Sequence, residues 1–279
     1  VKAIRCEMLE RQRLEAWAGA YPPVRTPKRV LVVMAGNIPL VGFFDLLCVL
    51  ASGHACRVKP SSKDTVLIGY VVDLLRAIDP AIPLRMAEQG ERPDAVIATG
   101  SDNANRYFRM LFGGIPSLLR GSRQSVAVLS GRETAAELSG LEEDIFAYSG
   151  LGCRNVSLLF LPRGYMPELR CTALNEKYRR NYLRERALLR MRRMPFVDLD
   201  GAVLCEDRSF PAALSRIHYT FYDSLADVEA WLAAHDDRLQ CVVSQCVRHS
   251  RRVAFGRAQH PGLTDYADDV DTMRFLGTI

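Results

Sequence analysis

The sequence is poor in lysine. Of its 37 basic residues only Lys2, Lys28, Lys59, Lys63 and Lys177 are lysines, and arginine supplies the rest. It also lacks any apolar run of the roughly 18 residues needed to span a bilayer. The longest apolar region, Ile38 to Ala51, is broken by Gly42 and Asp45, so no membrane span is expected. The sequence shows no secretory signal, and it opens on Val1 rather than methionine, as expected if the native start lies upstream. None of the eight cysteines stands in the C-x-x-C spacing of a zinc site. Scattered thiols in a chain of this length suit a reducing cytoplasm rather than a disulfide framework, and a cytoplasmic location is expected. The five histidines form no ligand spacing, so no metal is expected. Internal repeats and low-complexity linkers are missing, and so is the G-x-G-x-x-G fingerprint of the standard dinucleotide fold.

What is there is an ordinary globular composition, 48% hydrophobic and 25% charged over 279 residues, long enough for one large or two modest domains. The net charge of +5 is mild. An arginine cluster from Arg179 to Arg193 is interleaved with Glu185 and with Leu183, Leu188 and Leu189. It reads as a solvated helical face rather than a nucleic-acid site, so no nucleic acid is expected.

The first half alternates strand and helix. Arg29 to Met34 is a β-branched strand followed by a loop and an apolar helix to about Ser52, where Gly53 is placed to stop it. Cys56 to Lys59 is a strand ended by Pro60, and Asp64 to Ile78 carries the 3.6-residue apolar period of a helix. Asp94 to Ala98 and Ser125 to Leu129 are further strands. This rhythm predicts right-handed crossovers and a doubly wound parallel sheet. The second half predicts a helix over Ala135 to Tyr148, a glycine turn into Cys153, and a buried strand from Val156 to Leu161. Two helices around Pro167 to Met191 follow, then strands near Ala202, Ile217 and Cys241 with a helix from Leu225 to Ala234. The fold class is therefore α/β, a Rossmann-type parallel-sheet domain plus a second α/β domain.

Ligands of open parallel sheets gather at the carboxyl ends of the strands. Three loops lie there: Gly36-Asn37-Ile38-Pro39, Lys59-Pro60-Ser61-Ser62 and Thr99-Gly100-Ser101. Asn37 offers a neutral amide donor suited to an oxyanion. Lys59 places a cation at a strand end, suited to ribose hydroxyls or a phosphate. Gly100 strips side-chain bulk from a helix start, where backbone N–H groups meet pyrophosphate, and Ser101 adds a hydroxyl. Cys153 follows glycines between a helix and a strand, where a thiol can be presented as a nucleophile or packed as a buried structural thiol; the local sequence leaves both open. Cys48 and Cys56, in apolar surroundings, read as core.

The order of these four motifs resembles the signature of the aldehyde dehydrogenase superfamily, and within it the acyl-CoA reductase (LuxC) family. The stretches NIPLVGFFDLLCVLASGHACRVKPSSKD, ATGSDNANRYF, SGLGCRNVS and PGLTDYADDVDTMRFL carry that resemblance, which covers essentially the whole chain, although family members carry an additional N-terminal segment. The resemblance implies an aldehyde-dehydrogenase-like fold with a nucleotide-binding domain over 1–127, a catalytic domain over 128–255 and a C-terminal return segment over 256–279. It implies Cys153 as nucleophile, with Asn37 and the Cys153 backbone N–H as the oxyanion hole. Lys59 would hold the adenosine ribose or its phosphate, and Gly100 and Ser101 the pyrophosphate. The glutamate that activates water in hydrolytic relatives is matched by Leu119, in Ser117-Leu118-Leu119-Arg120-Gly121, and the later glutamate at the nicotinamide ribose has no counterpart near Arg208 to Ala213. NAD-specific relatives often carry glutamate where Ser62 stands, so Ser62, with Lys59 and Lys63, points to NADPH over NADH.

The expected activity is reduction of an acyl-CoA or other acyl thioester, of the long-chain fatty class, to the aldehyde. An acyl-transferring partner protein and a homo-oligomer are also implied. The rival readings are aldehyde oxidation, in which Glu142, Glu143 or Asp144 on an exposed helix would have to replace the missing carboxylate, reduction of an acyl phosphate, and a non-catalytic arginine-rich binding protein.

Overall fold

A computed structural model of the chain describes residues 2–172 and 175–279. The chain divides into two compact units, one of residues 1–122 with 262–279 and one of residues 123–261.

In the first unit two short helices, α1 (Lys2–Met8) and α2 (Arg11–Gly19), precede β1 (Arg29–Val33), α3 (Phe43–Ala51), β2 (Ala55–Lys59), α4 (Thr65–Ile78), β3 (Leu84–Met86), β4 (Ala95–Thr99), α5 (Asp102–Phe112) and β5 (Ser117–Arg120). The five strands form one parallel sheet in the order β3-β2-β1-β4-β5. Register aligns Val33 with Lys59 on one side and with Ala98 on the other. The loops that leave β1, β2 and β4 therefore emerge from three neighbouring strands at one edge.

Alternate strand residues Val30, Val32, Cys56 and Val58 are fully or almost fully buried and pack with Leu46, Cys48 and Val49 of α3 and Ile68 and Val72 of α4. Each such side chain contributes about 1.5–3 kcal/mol by leaving water. Cys48 and Cys56 are core, as expected. Gly53 ends α3 at φ +88°, a conformation glycine adopts without the penalty a Cβ imposes.

One buried polar cluster holds this unit together. The Arg120 guanidinium donates from Nη1 to both Asp45 oxygens at 2.6 Å and from Nη2 to Thr272 Oγ1 at 2.7 Å. It thus joins α3, β5 and a last helix, α9 (Thr272–Leu276), in a site where Arg120 is 3% and Asp45 7% exposed. Breaking such a pair strands a buried charge. Asp45→Ala is expected to lower the unfolding free energy by about 3–5 kcal/mol in a urea titration. The double change Asp45→Leu/Arg120→Met removes both charges and loses less. Equal losses from the two proteins would contradict this account of the cluster.

The second unit contains β6 (Gln124–Val128), α6 (Ala135–Phe146), β7 (Val156–Pro162), α7 (Glu176–Met191), β8 (Val197–Asp198), β9 (Val203–Glu206), β10 (Arg216–Tyr222), α8 (Leu225–Ala234), β11 (Leu239–Ser244) and β12 (Arg252–Val253). Its seven strands follow the order β12-β11-β6-β7-β10-β9-β8, parallel except for the β8–β9 pair. Both faces are covered, and the strand residues show it by alternation. Ala127, Leu129, Leu159 and Leu161 pack with Leu141, Ile145 and Phe146 of α6 and Tyr178 of α7. Val126, Val128, Leu158 and Phe160 pack with Val228 and Leu232 of α8. Near-continuous apolar strands are the mark of such a sheet.

The structure departs from the sequence reading in several places. The units break at Ser122/Arg123 and Pro261/Gly262, whereas breaks after 127 and 255 were expected. Residues 124–128 are accordingly a strand of the second sheet, hydrogen-bonded between β11 and β7. One helix, Glu176–Met191, occupies the stretch expected to hold two. Residues 163–172 are irregular, and residues 173 and 174, which the expected first helix also covered, lie outside the described residues. The short strands β3 and β5 were not expected as elements of the sheet, because runs of three and four residues carry little periodicity.

Candidate active site

Cys153 is built onto the end of α6. Thr134 and Glu137 cap that helix reciprocally, and it gives way to a turn in which Tyr148 (φ 53°), Ser149 (φ 55°) and Gly150 (φ 63°) are all left-handed. For the two residues that carry a Cβ this costs on the order of 1–2 kcal/mol each, so something must hold the turn. Asn155, 5% exposed, does so. Its Nδ2 donates to the carbonyls of Asp144 (3.1 Å), Ile145 (3.1 Å) and Ala147 (2.9 Å), and its Oδ1 accepts from the Gly152 amide at 2.8 Å. One side chain thus satisfies carbonyls left over at the helix end and closes the loop on itself. Ser149 Oγ accepts from the Asn175 amide at 3.0 Å.

The Cys153 carbonyl is pinned from below by the fully buried Ser125, whose Oγ donates to it at 2.9 Å. The same Oγ accepts from the Cys241 amide at 3.2 Å. The backbone at residue 153 is thereby tied to β6 and β11 while its side chain is exposed. Burial pushes the Cys241 thiol up to about 11 and the Cys171 thiol also to about 11. Cys6 and Cys153 are the cysteines classed as exposed among the described residues.

Beside this loop opens a cleft of about 550 Å³ at the amino-terminal edge of the second sheet. Gly150, Gly152, Asn155, Tyr178, Leu214 and Arg216 are among the residues that line it. Among the described residues its lining contains no aspartate or glutamate, and Cys153 itself is not part of it. The carboxylates that could have filled that want are engaged elsewhere. Asp144, expected on an exposed helical face, is fully buried and accepts from the Gly256 and Ala258 amides at 2.7 and 2.9 Å. Glu142 accepts from the Arg170 amide at 2.7 Å, and Glu143 lies 3.8 Å from His260.

Burial raises the Asp144 carboxyl to about 6, against the opposing pull of its two N–H donors. In an unfolded chain the group titrates near 4. Between pH 4 and 6 the folded protein therefore holds a proton that the unfolded chain has lost, and stability falls as pH rises through that window, by on the order of 2–3 kcal/mol. Melting temperature should drop across pH 4–6 more steeply in the wild type than in Asp144→Asn. Parallel slopes for the two would refute the assignment.

In the first unit, Asn37 lies in a second cleft, about 520 Å³, with Gly36, Ile38, Pro39, Lys63, Asp64, Val66 and Leu67. Lys59, Ser62, Gly100 and Ser101 are not part of its lining. The loop is held tightly. A Cβ on Gly36 would collide with Ser61 Oγ, and the buried Asp64 carboxylate accepts from the Leu40 amide at 2.7 Å, fixing Leu40 at φ 58°. Lys59 and Ser62 are exposed beside it at the end of β2. At the start of α5 the expectation needs amendment. The Gly100 amide is spent inside the sheet on the Arg120 carbonyl at 3.1 Å. Glycine is required there because a Cβ would press on Ala104 and Phe108. Ser101 caps the helix by accepting from the Ala104 amide at 3.3 Å. Asp102, in the first turn, accepts from the Ser122 amide at 3.0 Å. Leu119 is a strand residue of β5 opposite Ala98.

The fold, with a five-stranded parallel sheet in one unit and a seven-stranded sheet in the other, has solved counterparts. Staphylococcus aureus AldH in a substrate-bound state is 18% identical, over 90% of this chain and 67% of that one, with a TM-score of 0.56. The Mycobacterium tuberculosis aldehyde dehydrogenase complexed with NAD+ is 17% identical, over 72% and 53%, at 0.57. The NAD+ complex of the aldehyde dehydrogenase from Bacillus cereus is 13% identical, over 84% and 61%, at 0.58. The fold is that of the aldehyde dehydrogenases. The chain spans between 53% and 67% of the length of these three proteins. No family model matches the chain, and no curated protein matches it in sequence.

On the aldehyde-dehydrogenase-like fold, several residues the sequence reading missed become legible. Asn155, Ser125 and the left-handed Tyr148 and Ser149 shape the thiol loop, and Tyr178 and Arg216 line its cleft. Only the asparagine two residues beyond Cys153 offered a signal, and an isolated turn asparagine is a weak one. Among the described residues no group of three or more His, Cys, Asp or Glu side chains could hold a metal, and no helix is long and apolar enough to cross a membrane.

Proposed function

We propose that the protein belongs to the acyl-thioester-reducing branch of the aldehyde dehydrogenase superfamily, resembling the LuxC family. It takes a long-chain acyl-CoA or carrier-bound acyl group to the aldehyde at the expense of NADPH. The observation that carries this reading is an exposed thiol three residues after a left-handed turn, in a loop beside a cleft whose lining has no carboxylate among the described residues.

In this reading the Cys153 sulfur attacks the thioester carbonyl, and the carrier departs as its thiol, leaving the acyl group on the enzyme. Asn37 donates its amide to the tetrahedral oxyanion. Water needs a positioned base to compete for the acyl-enzyme. Leu119 cannot serve, and Asp144 is committed to Gly256 and Ala258, so the acyl group survives to be reduced. A nicotinamide dinucleotide, when bound, supplies the hydride. After that transfer the thiohemiacetal collapses to aldehyde and returns the thiolate.

The first unit suits such a cofactor. Its cleft lies at the carboxyl edge of a parallel sheet, walled by Lys63 with Gly36 held too close to Ser61 for any side chain. Lys59 and Ser62 would hold the ribose and its phosphate, and Ser101 with the α5 terminus the pyrophosphate. With serine at 62 and lysines at 59 and 63, a 2′-phosphate meets attraction rather than repulsion. kcat/KM for NADPH is expected to exceed that for NADH, and a clear NADH preference would overturn this point. NADPH consumption with acyl-CoA, set against NAD reduction with aldehyde, separates this reading from aldehyde oxidation. Faster aldehyde oxidation would decide for the rival. The reading also carries a homo-oligomer and an acyl-transferring partner as its expected company.

A further inference from the structure

The segment from Glu176 to Arg193 carries eight basic residues against two acidic ones. That surplus of six exceeds the net +5 of the whole chain, so the rest of the protein is close to neutral and its positive charge resides on α7 and the two residues after it. The helix buries Tyr178, Tyr182, Glu185 and Leu189. Lys177, Arg179, Arg180, Arg184, Arg190, Arg192 and Arg193 are exposed. Its ion pairs join Arg180 with Glu176, Arg184 and the β10 residue Arg216 with Glu185, and Arg186 with Asp198. Like charges stand one turn apart at Arg180 and Arg184 and at Arg186 and Arg190, an arrangement that costs helix stability unless a counter-charge relieves it.

Three exposed apolar side chains share this surface: Leu183 at 50%, Met191 at 81% and Met194 at 45%. Arginine with methionine is the composition of protein–protein contact surfaces. The helix also begins at the cleft. Its N-cap residue Asn175 donates its amide to Ser149 Oγ in the turn that leads to Cys153, and Tyr178 in its first turn lines the cleft and lies against Gly150. From there α7 extends for about 24 Å.

We propose that α7 is the docking surface for a small acidic carrier protein that presents an acyl thioester at the cleft beside the Cys153 loop. The cargo rests on the thioester reading above; the docking rests on the charge of the helix. An acidic protein fits better than the two other polyanions. Single-stranded nucleic acid uses exposed rings for stacking, and both tyrosines of α7 are buried. A helix lying in an anionic membrane turns its apolar face outward, whereas α7 spends that face on its own core.

The test uses the full chain and purified holo acyl carrier protein without an acyl group, fluorescently labelled, with binding read by anisotropy at 50 and 300 mM salt. The wild type should bind and weaken at least tenfold at the higher salt. Arg179→Gln/Arg190→Gln/Arg192→Gln should bind about tenfold more weakly with an unchanged melting temperature, while Arg76→Gln on α4 should bind as the wild type does. With an acyl group loaded, the triple variant should lose about tenfold in kcat/KM through KM for the carrier thioester and nothing for the uncharged N-acetylcysteamine thioester. Absence of carrier binding, or equal binding by the triple variant, overturns the proposal. So does tighter, arginine-dependent binding of a 20-bp DNA duplex or of phosphatidylglycerol vesicles. Carrier binding that follows the arginines without turnover of either thioester supports the dock and sinks the thioester chemistry instead. Turnover of the small thioester without carrier binding does the reverse.

Discussion

Cys153→Ala is expected to abolish thioester reduction while leaving the fold and dinucleotide binding intact. The side chain is exposed, so its loss leaves no cavity, and the loop geometry rests on Asn155 and Ser125, which the substitution does not touch. Cys153→Ser should be nearly as inactive, because a serine hydroxyl is a far weaker nucleophile than a thiolate. Cys6→Ala, the other exposed thiol, should retain full activity. Turnover surviving in Cys153→Ala above the level of its own no-enzyme control would remove the covalent step from the account.

Asn37→Ala is expected to lower kcat by about 10²–10³, the usual loss for one oxyanion donor, with KM for the acyl donor changed little. The exposed side chain stands in a loop fixed independently by Gly36 against Ser61 and by Asp64 on the Leu40 amide, so stability should not follow activity down. Asn37→Asp should be at least as poor, since a carboxylate repels the developing negative charge. A loss confined to KM, with kcat unchanged, would show that Asn37 binds substrate and transition state alike and is no oxyanion donor.

The parts of this molecule visible in its sequence are those with local causes. The β-branched run Arg29 to Met34, the apolar period of Asp64 to Ile78 and the helix from about Leu225 to Ala234 were all readable, because burial on one or two faces writes itself into the spacing. So was the alignment of the Asn37, Lys59 and Gly100 loops along one sheet edge, which follows from strand–helix alternation.

What escaped was long-range. Residues 124–128 have the composition of any buried parallel strand, and only pairing with later strands, β7 and, more than a hundred positions on, β11, assigns them to the second sheet. Asp144 follows two glutamates on a helix and reads as solvated, yet amides 112 and 114 residues away bury it. Tyr148 and Ser149 carry no glycine signature for a left-handed turn. Their conformation is imposed from outside by Asn155, the kind of strain that local preference cannot reveal and that gathers around functional loops. Gly100 shows the converse case. Its motif suggests an anion site, while in the fold its amide belongs to the sheet and its small size to α5 packing.

The most direct test is mass spectrometry of the intact protein after incubation with acyl-CoA and no dinucleotide. The account predicts a mass increase of one acyl group per chain, mapped by peptide fragmentation to residue 153 and discharged on adding NADPH. An unmodified protein, or an acyl group found on another residue, would contradict it.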